Sequence, residues 1–227
     1  MSKKRGTLFI VATPIGNLED VTLRALRVLK EAEHIACEDT RQTIKLLNKY
    51  RLKNKLISYY KPKEKQKIPI IIGLLNAGND VALVSDSGTP GLSDPGYLLI
   101  RKAIEEGIEV VPVPGASAIT SALVASGLPT HRFLFIGFPP PKKGKMKKLL
   151  HSLQHEEATI IFYVPTRKIL SFLEIAEEEM GNREVVIARE MTKLHEEFIR
   201  GRVQKVIEEL KKRPLKGEAT LLIRGRE

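Results

Sequence analysis

A chain of 227 residues that is 42% hydrophobic can bury a core, and its length suits one large domain or two small ones. The single cysteine, Cys37, excludes an internal disulfide, and the five histidines lack a metal-ligand spacing, so we predict no metal site. No apolar run reaches the roughly 20 residues of a membrane helix, so we expect a cytoplasmic protein without a membrane partner. The net charge of +11 favours a polyanionic partner, although a thermophile's charged surface would also contribute to it.

Short β-branched runs alternate with helical patterns in the first half of the chain, as expected for strands that are each followed by a covering helix. The pattern predicts strands at residues 7–13, 34–38, 55–59, 81–85 and 109–113. It predicts helices at residues 22–32, 40–50, 68–76 and 95–106. Together these elements make a five-strand α/β unit.

A break at Pro112, Pro114 and Gly115 separates this unit from a second one. We therefore predict an N-terminal α/β domain over residues 1–115 and a C-terminal α/β domain over residues 116–227. In the second domain the predicted helices cover residues 116–126, 167–180 and 203–212. The predicted strands cover residues 133–137, 159–164, 184–189, 197–200 and 219–224.

Two loops follow strands of the first domain at the edge where open α/β folds bind ligands. Residues 12–18 follow the first strand but lack a dinucleotide-binding glycine pattern. Residues 85–96 are twelve turn-forming residues after a buried strand, and Asp86 among them could accept hydrogen bonds from a ribose or an ammonium group. Asp94 could cap the next helix and Pro95 could occupy its first turn, but the loop is longer than a cap requires. We therefore favour a ligand site here.

Two polar clusters and one lysine run each allow a structural and a functional interpretation. In Glu38-Asp39-Thr40-Arg41, either Asp39 or Thr40 caps a helix, or Asp39 or Glu38 is a general base with Arg41 holding a phosphate. Residues 189–196 form either a solvated turn or the lip of a site. Residues 139–148 hold five lysines and no acid, which suits either a solvated loop and helix start or an anchor for an RNA backbone.

Six ordered segments resemble the ribosomal RNA small-subunit methyltransferase I family, within the tetrapyrrole methylase superfamily. They are residues 7–20, 38–41, 85–96, 114–117, 126–130 and 192–196. The resemblance implies a two-domain tetrapyrrole methylase-like fold, a homodimer, and S-adenosylmethionine held in a cleft between the domains. It also implies methylation of the ribose 2′-hydroxyl of a cytidine in the decoding centre of 16S rRNA, with the RNA or the small ribosomal subunit as partner.

The resemblance further implies cofactor contacts in both domains. These contacts are Pro14 in the first loop, Asp86, Ser87, Gly88, Thr89 and Pro90 in the second, Ser117 and Ala118 at the junction, and Tyr163 and Ala188 at strand ends. A ribose hydroxyl is a poor nucleophile until its proton is removed. Our hypothesis is that Asp39 or Glu190 takes that proton, while Arg41 and Lys193 position a phosphate or lower the proton affinity of the substrate.

The chain differs from the family pattern at two segments. Residues 60–64 replace a histidine-rich stretch, and residues 162–167 read Phe-Tyr-Val-Pro-Thr-Arg where the family shows Phe-Tyr-Glu-Ser-Pro-His-Arg. Two alternatives therefore stay open. One is a methyltransferase of the same superfamily with a small-molecule acceptor, which the basic composition disfavours. The other is a non-catalytic RNA-binding assembly factor, which the intact loop at residues 85–96 disfavours.

Overall fold

The computed structural model describes residues 4–226, and its contacts divide the chain into two units, one ending at Ser117 and the other beginning at Ala118. The division lies two residues beyond the one we expected from sequence. Each unit has a five-stranded sheet of its own, covered by helices. The α/β fold class inferred from the sequence is confirmed.

The first unit is built on a fully parallel sheet. Its strands are β1 (Leu8–Val11), β2 (His34–Cys37), β3 (Lys55–Ser58), β4 (Val81–Val84) and β5 (Val110–Val113), in the spatial order β3-β2-β4-β1-β5. Its helices are α1 (Leu23–Glu31), α2 (Thr40–Lys49), α3 (Glu64–Asn76) and α4 (Tyr97–Glu105). Because all five strands run the same way, the loops at their carboxyl ends meet along one edge of the sheet.

Two hydrophobic clusters cover the two faces of this sheet. Leu29 of α1 and Leu46 of α2 pack in one cluster, and Leu75 of α3 and Leu99 of α4 pack in the other. Successive residues of a strand point to opposite faces, and the residues of β4 alternate between the two clusters. All four residues of β4 are therefore buried, which explains why this segment is a continuous apolar run in the sequence.

Two helices of this unit begin where the sequence did not predict. Helix α3 begins at Glu64, four residues before the predicted start, and it contains Pro69. The predicted capping of α4 by Asp94, with Pro95 in its first turn, is wrong. Gly96 is the N-cap at a φ of 145°, without a side-chain cap, and its N–H donates to Glu64 Oε1 over 3.1 Å. This hydrogen bond and the glycine conformation hold residues 94–96 outside the helix.

The second unit has a mixed sheet. Its strands are β6 (Phe133–Gly137), β7 (Thr159–Tyr163), β8 (Glu184–Arg189), β9 (Glu197–Arg202) and β10 (Ala219–Ile223), in the order β6-β7-β10-β8-β9. Its helices are α5 (Ala118–Ser126), α6 (Lys143–Ser152), α7 (Thr166–Met180) and α8 (Val203–Lys212). Only β6 and β7 pair in parallel, and the other pairs are antiparallel. Phe162 and Phe172 meet in its core with ring centroids 5.0 Å apart.

Most of the lysine run lies in helix α6. Lys147 is ion-paired with Glu178 and Glu179 of α7, and His151 lies 3.0 Å from Glu179. These pairs fix one face of α6 against α7, so not every lysine of the run is available to a polyanion. Within residues 4–226, no helix combines the length and the apolar character needed to cross a membrane.

Candidate active site

Two loops at the carboxyl edge of the first sheet are joined by backbone hydrogen bonds. The N–H of Thr13, after β1, donates to the carbonyl of Gly88 over 2.9 Å, and the N–H of Gly88 donates back to the Thr13 carbonyl over 3.0 Å. The Thr13 hydroxyl also donates to the Ser85 carbonyl over 3.1 Å. These bonds fix the start of the 85–96 loop beside Pro14, which is buried.

A third loop, which follows β5, reaches the same edge. The Thr89 hydroxyl donates to the Ala116 carbonyl over 3.5 Å. Gly88 has a φ of 80°, and a Cβ there would lie 3.3 Å from Ile15 Cγ2 and 3.7 Å from the Ala116 carbonyl oxygen. Glycine therefore allows the three loops to approach each other. The cofactor residues predicted in this unit, Pro14, the run from Asp86 to Pro90, and Ser117, accordingly lie along one edge.

Asp39 follows β2, which neighbours β4, and it bonds to the same loop. Its N–H donates to Asp86 Oδ1 over 2.8 Å. Its carboxylate caps α2 through the Arg41 N–H at 2.8 Å and pairs with the Arg41 guanidinium at 2.6 Å. These bonds to Arg41 lower the pKa of Asp39 to about 2. The capping interpretation is therefore confirmed, and Arg41 keeps most of its side chain exposed.

Three more carboxyl groups lie near Asp39, and with it they form what we call the acidic cluster: Glu38, Asp39, Asp86 and Asp94. Burial raises the pKa of both Glu38 and Asp86, and neighbouring acids raise it further. Burial and the charge of Asp86 raise the pKa of Asp94 to about 6, although a hydrogen bond with Ser85 opposes the shift. The cluster places four carboxyl groups on this edge, and one of them, Asp94, exchanges its proton near neutral pH.

Asp94 is the member of the cluster to which the sequence analysis gave a structural interpretation only, as a possible cap within the 85–96 loop. In the structure, burial and the charge of Asp86 raise its pKa. A signal was available, because Ser85-Asp86-Ser87-Gly88 and Ser93-Asp94-Pro95-Gly96 repeat one Ser-Asp-x-Gly pattern.

Glu64 accepts a hydrogen bond from the end of the same loop. Its buried carboxylate accepts a hydrogen bond from the Tyr59 hydroxyl over 2.6 Å and another from the Gly96 N–H over 3.1 Å. Burial, followed by the Glu64 carboxylate, raises the pKa of Tyr59. One of the two segments that differ from the family pattern thus contributes a buried acid that ties β3 and α3 to the end of the 85–96 loop.

The residues predicted in the second unit lie near one edge of its own sheet. Ala188 of β8 pairs with Thr220 of β10, and Thr220 pairs with Tyr163 of β7, so the three form a row across the strands. The Tyr163 ring packs against Phe135 and Phe138, with centroids 5.0 and 5.5 Å away. Ala118 begins α5, which contacts β8 and β10.

Glu190 and Lys193 are bonded to each other in the turn after β8. The Glu190 carboxylate accepts hydrogen bonds from the Glu218 N–H at 2.8 Å and from Lys193 Nζ at 3.2 Å. Lys193 Nζ also donates to Glu218 Oε2 over 2.8 Å. The Glu218 N–H, more than Lys193, lowers the pKa of Glu190. These contacts order a turn in which Glu190 itself has a φ of 49°.

Comparison with known proteins gives consistent matches over most of the chain. The family model described as Tetrapyrrole (Corrin/Porphyrin) Methylases matches residues 7–207. A protein of Thermotoga maritima named Ribosomal RNA small subunit methyltransferase I is 50% identical over 98% of this chain and 100% of its own length. A protein of the same name from Hydrogenobaculum sp. is 49% identical over 95% of this chain and 94% of its own.

Solved structures share the fold at lower identity. Uroporphyrin-III-C-methyltransferase from Thermus thermophilus superposes with a TM-score of 0.67 at 23% identity, covering 97% of this chain and 94% of that one. A cobalt precorrin-4 methyltransferase superposes with a TM-score of 0.71 at 16% identity, covering 96% and 94%. At these identities the likeness concerns the fold alone.

Proposed function

This chain belongs to the ribosomal RNA small subunit methyltransferase I family of the tetrapyrrole methylases, and from that membership we propose the reaction that it catalyses. The chain is a methyltransferase, and the proposed reaction transfers the methyl group of S-adenosylmethionine to the ribose 2′-hydroxyl of a cytidine in the decoding centre of 16S rRNA. The proposed partner is 16S rRNA or the small ribosomal subunit. The proposal includes a homodimer that acts in the cytoplasm.

The cofactor assignment is supported mainly by the acidic cluster, which lies beside the hydrogen-bonded loops of Thr13 and Gly88. S-adenosylmethionine supplies a methyl group on a positively charged sulfonium, and it also carries an ammonium group. A cluster of carboxyl groups on one sheet edge favours such a cation electrostatically. In the proposal, Asp86 accepts hydrogen bonds from the cofactor, and the backbone from Ser87 to Pro90 approaches it closely because Gly88 has no side chain.

The remaining cofactor contacts complete the proposed set. Pro14 and Ser117 contribute from the first unit, and Ala118, Tyr163 and Ala188 contribute from the second. Alignment of acceptor oxygen, methyl carbon and sulfur is the main task of the protein in such a transfer, and positioning of this kind is worth roughly 7 to 11 kcal/mol.

The proton of the ribose hydroxyl needs an acceptor, and three carboxylates are candidates. Asp39 and Glu190 are the two that our sequence-based hypothesis named, with Arg41 and Lys193 as their positioning partners. Hydrogen bonds lower the pKa of Asp39 to about 2 and shift the pKa of Glu190 below its ordinary value, and a lowered pKa makes each a weaker base. Asp94, with a pKa of about 6, matches the working pH better, and a matched base adds about 10² to 10⁴ in rate. We therefore expect Asp94→Asn to slow the reaction more than Asp39→Asn or Glu190→Gln.

The test is transfer of labelled methyl from S-adenosylmethionine to small ribosomal subunits that lack this ribose methylation. Label that maps to a ribose of 16S rRNA supports the proposal. Cofactor binding without RNA labelling would favour a small-molecule acceptor, as the names of the solved structures suggest for those proteins. Absence of cofactor binding would favour an RNA-binding assembly factor. Single-turnover rates of the three carboxylate variants then identify the base, and near-normal rates for Asp39→Asn and Glu190→Gln would reject both of those residues.

A further inference from the structure

A cavity of about 380 Å³ opens in the second unit, at the sheet edge opposite to the Glu190 turn. Glu184, at the beginning of β8, lines this cavity, whereas Glu190 follows the end of the same strand. At about 3.3 Å per residue, the two ends are roughly 20 Å apart. The basic residues that line the cavity are His155, Arg183, Arg202, Arg224 and Arg226.

The acids that line the cavity are already paired with other groups. Glu184 pairs with Arg224 at 2.8 Å, and Glu179 pairs with Lys147 and His151 of α6. Among residues 4–226, no carboxylate forms an ion pair with the three remaining guanidinium groups, those of Arg183, Arg202 and Arg226. The cavity therefore carries an excess of positive charge.

The protein holds two of these guanidinium groups in place through carbonyl groups. All three nitrogens of the Arg183 guanidinium donate to carbonyls, those of Met180, Gln154, Glu156 and Arg224. Arg202 donates to the Asn182 carbonyl over 3.1 Å, and the third group, Arg226, contacts His155 Nδ1. Burial, followed by the charge of Arg226, lowers the pKa of Arg183. An anion in the cavity would reduce this repulsion between like charges.

We propose that this cavity binds a phosphate group of the RNA backbone, an inference that rests on the proposed RNA substrate. Guanidinium groups match phosphate oxygens in geometry, and they keep their charge at any physiological pH. Glu179 of α7 lines the cavity and pairs with Lys147 and His151 of the lysine-bearing helix α6, so that helix lies next to the cavity. Its distance from the Glu190 edge assigns it to RNA anchoring and not to methyl transfer.

Binding of a 16S rRNA transcript in a series of KCl concentrations tests this assignment. The variant is Arg202→Gln with Arg226→Gln, because both side chains are exposed. We expect roughly tenfold weaker binding. The plot of log affinity against log salt should become shallower, with a negative slope reduced in magnitude by roughly one to two. Affinity for S-adenosylmethionine should not change. The control variant, Arg24→Gln with Lys49→Gln, removes the same charge from exposed positions of α1 and α2.

The outcomes separate this inference from the proposed function. Unchanged RNA binding in the cavity variant, or an equal loss in the control, would overturn the phosphate site whether or not the enzyme methylates RNA. Wild-type protein that binds the transcript but methylates neither the transcript nor small ribosomal subunits would contradict the proposed function, while the variants would still decide the cavity. Inorganic phosphate is titrated at matched ionic strength. Phosphate binding that the variant loses while its RNA binding stays intact would indicate a free-anion site and overturn the RNA assignment. Wild-type protein that binds neither the transcript nor small ribosomal subunits would overturn both proposals.

Discussion

Carboxyl groups that are close together in this protein differ in proton affinity because their partners differ. Arg41 holds the Asp39 carboxylate by two kinds of hydrogen bond, and the pKa of Asp39 falls to about 2. Burial and the charge of Asp86 raise the pKa of Asp94 to about 6, against the opposing effect of a hydrogen bond with Ser85. One edge of one sheet therefore holds both a permanently charged acid and one that titrates near neutral pH.

The raised pKa of Asp94 predicts a pH-dependent effect on stability. The folded protein binds this proton more tightly than the unfolded chain, so the contribution of Asp94 to stability is full below about pH 4 and is lost as the pH rises to about 6. Asp94→Asn should therefore melt a few degrees higher than wild type at pH 8 and no higher at pH 4. Thermal unfolding at the two pH values checks this, with Asp20→Asn as an exposed control. A lower melting temperature for Asp94→Asn at pH 8 would contradict it.

Gly217 provides a second prediction for a single residue. It has a φ of 94°, and a Cβ there would overlap the Glu190 carboxylate, which accepts the Glu218 N–H. Gly217→Ala should lower the free energy of unfolding by about 1 to 3 kcal/mol, because backbone strain and a displaced carboxylate add together.

Gly127→Ala is the matched control for this substitution. Gly127 has a φ of 81°, but no atom of residues 4–226 lies within 4 Å of the position that a Cβ would occupy there, so the strain alone applies. Urea denaturation of both variants measures the difference. Equal losses would mean that the Glu190 contact does not contribute to stability.

Between elements, the Glu64 carboxylate links the first turn of α3 to the end of β3 and to the N-cap of α4. Tyr59→Phe removes one of its two hydrogen-bond donors without creating a cavity. Hydrogen bonds to charged groups contribute about 1.5 to 3 kcal/mol, and we expect a loss of stability in that range. Tyr60→Phe is the control. It also removes a tyrosine hydroxyl, but it keeps the ring that faces Lys63 Nζ at 5.6 Å. Equal melting temperatures for the two variants would contradict the prediction.

The strands were predictable from sequence because β-branched runs between turn residues carry a local signal. The beginnings of α3 and α4 were not, because contacts between distant residues decide them. Glu64 accepts the N–H of Gly96, which is 32 positions further along the chain, and this bond excludes Asp94 and Pro95 from the helix. A capping pattern covers only a few neighbouring residues, so it cannot reveal a hydrogen-bond partner that is distant in the sequence.

The same limit applies to the site. The 85–96 loop was predicted from its composition, and the first-unit residues assigned to the cofactor do lie on one edge. The acidic cluster depends on β2 lying next to β4, an adjacency that arises because the chain crosses back after β3. Strand order was not part of the sequence prediction, so the approach of Glu38 and Asp39 to the 85–96 loop could not be anticipated.

For the molecule as a whole, the net charge of +11 makes the proposed RNA reaction sensitive to salt. The KM for 16S rRNA should rise by roughly tenfold or more between 50 and 200 mM KCl, because counterions compete for the phosphates. The rate at saturating RNA and the KM for S-adenosylmethionine should change much less. Steady-state kinetics in the two salts provide the measurement. An RNA KM that does not respond to salt would contradict a substrate held mainly by its backbone.

The strand order of the first sheet also governs when this unit can assemble during synthesis. Strand β1 is made first, yet Leu8 pairs with Val81 and Val110, which belong to strands made much later. At roughly 5 to 20 residues per second, β1 waits on the order of 5 to 20 s for both neighbours. The β8–β9 pair, in contrast, joins strands that are close in sequence and can form soon after it leaves the ribosome. The edge that carries the acidic cluster is thus completed only after most of the unit has been translated, and until then an apolar strand depends on the nascent chain and its chaperones for protection.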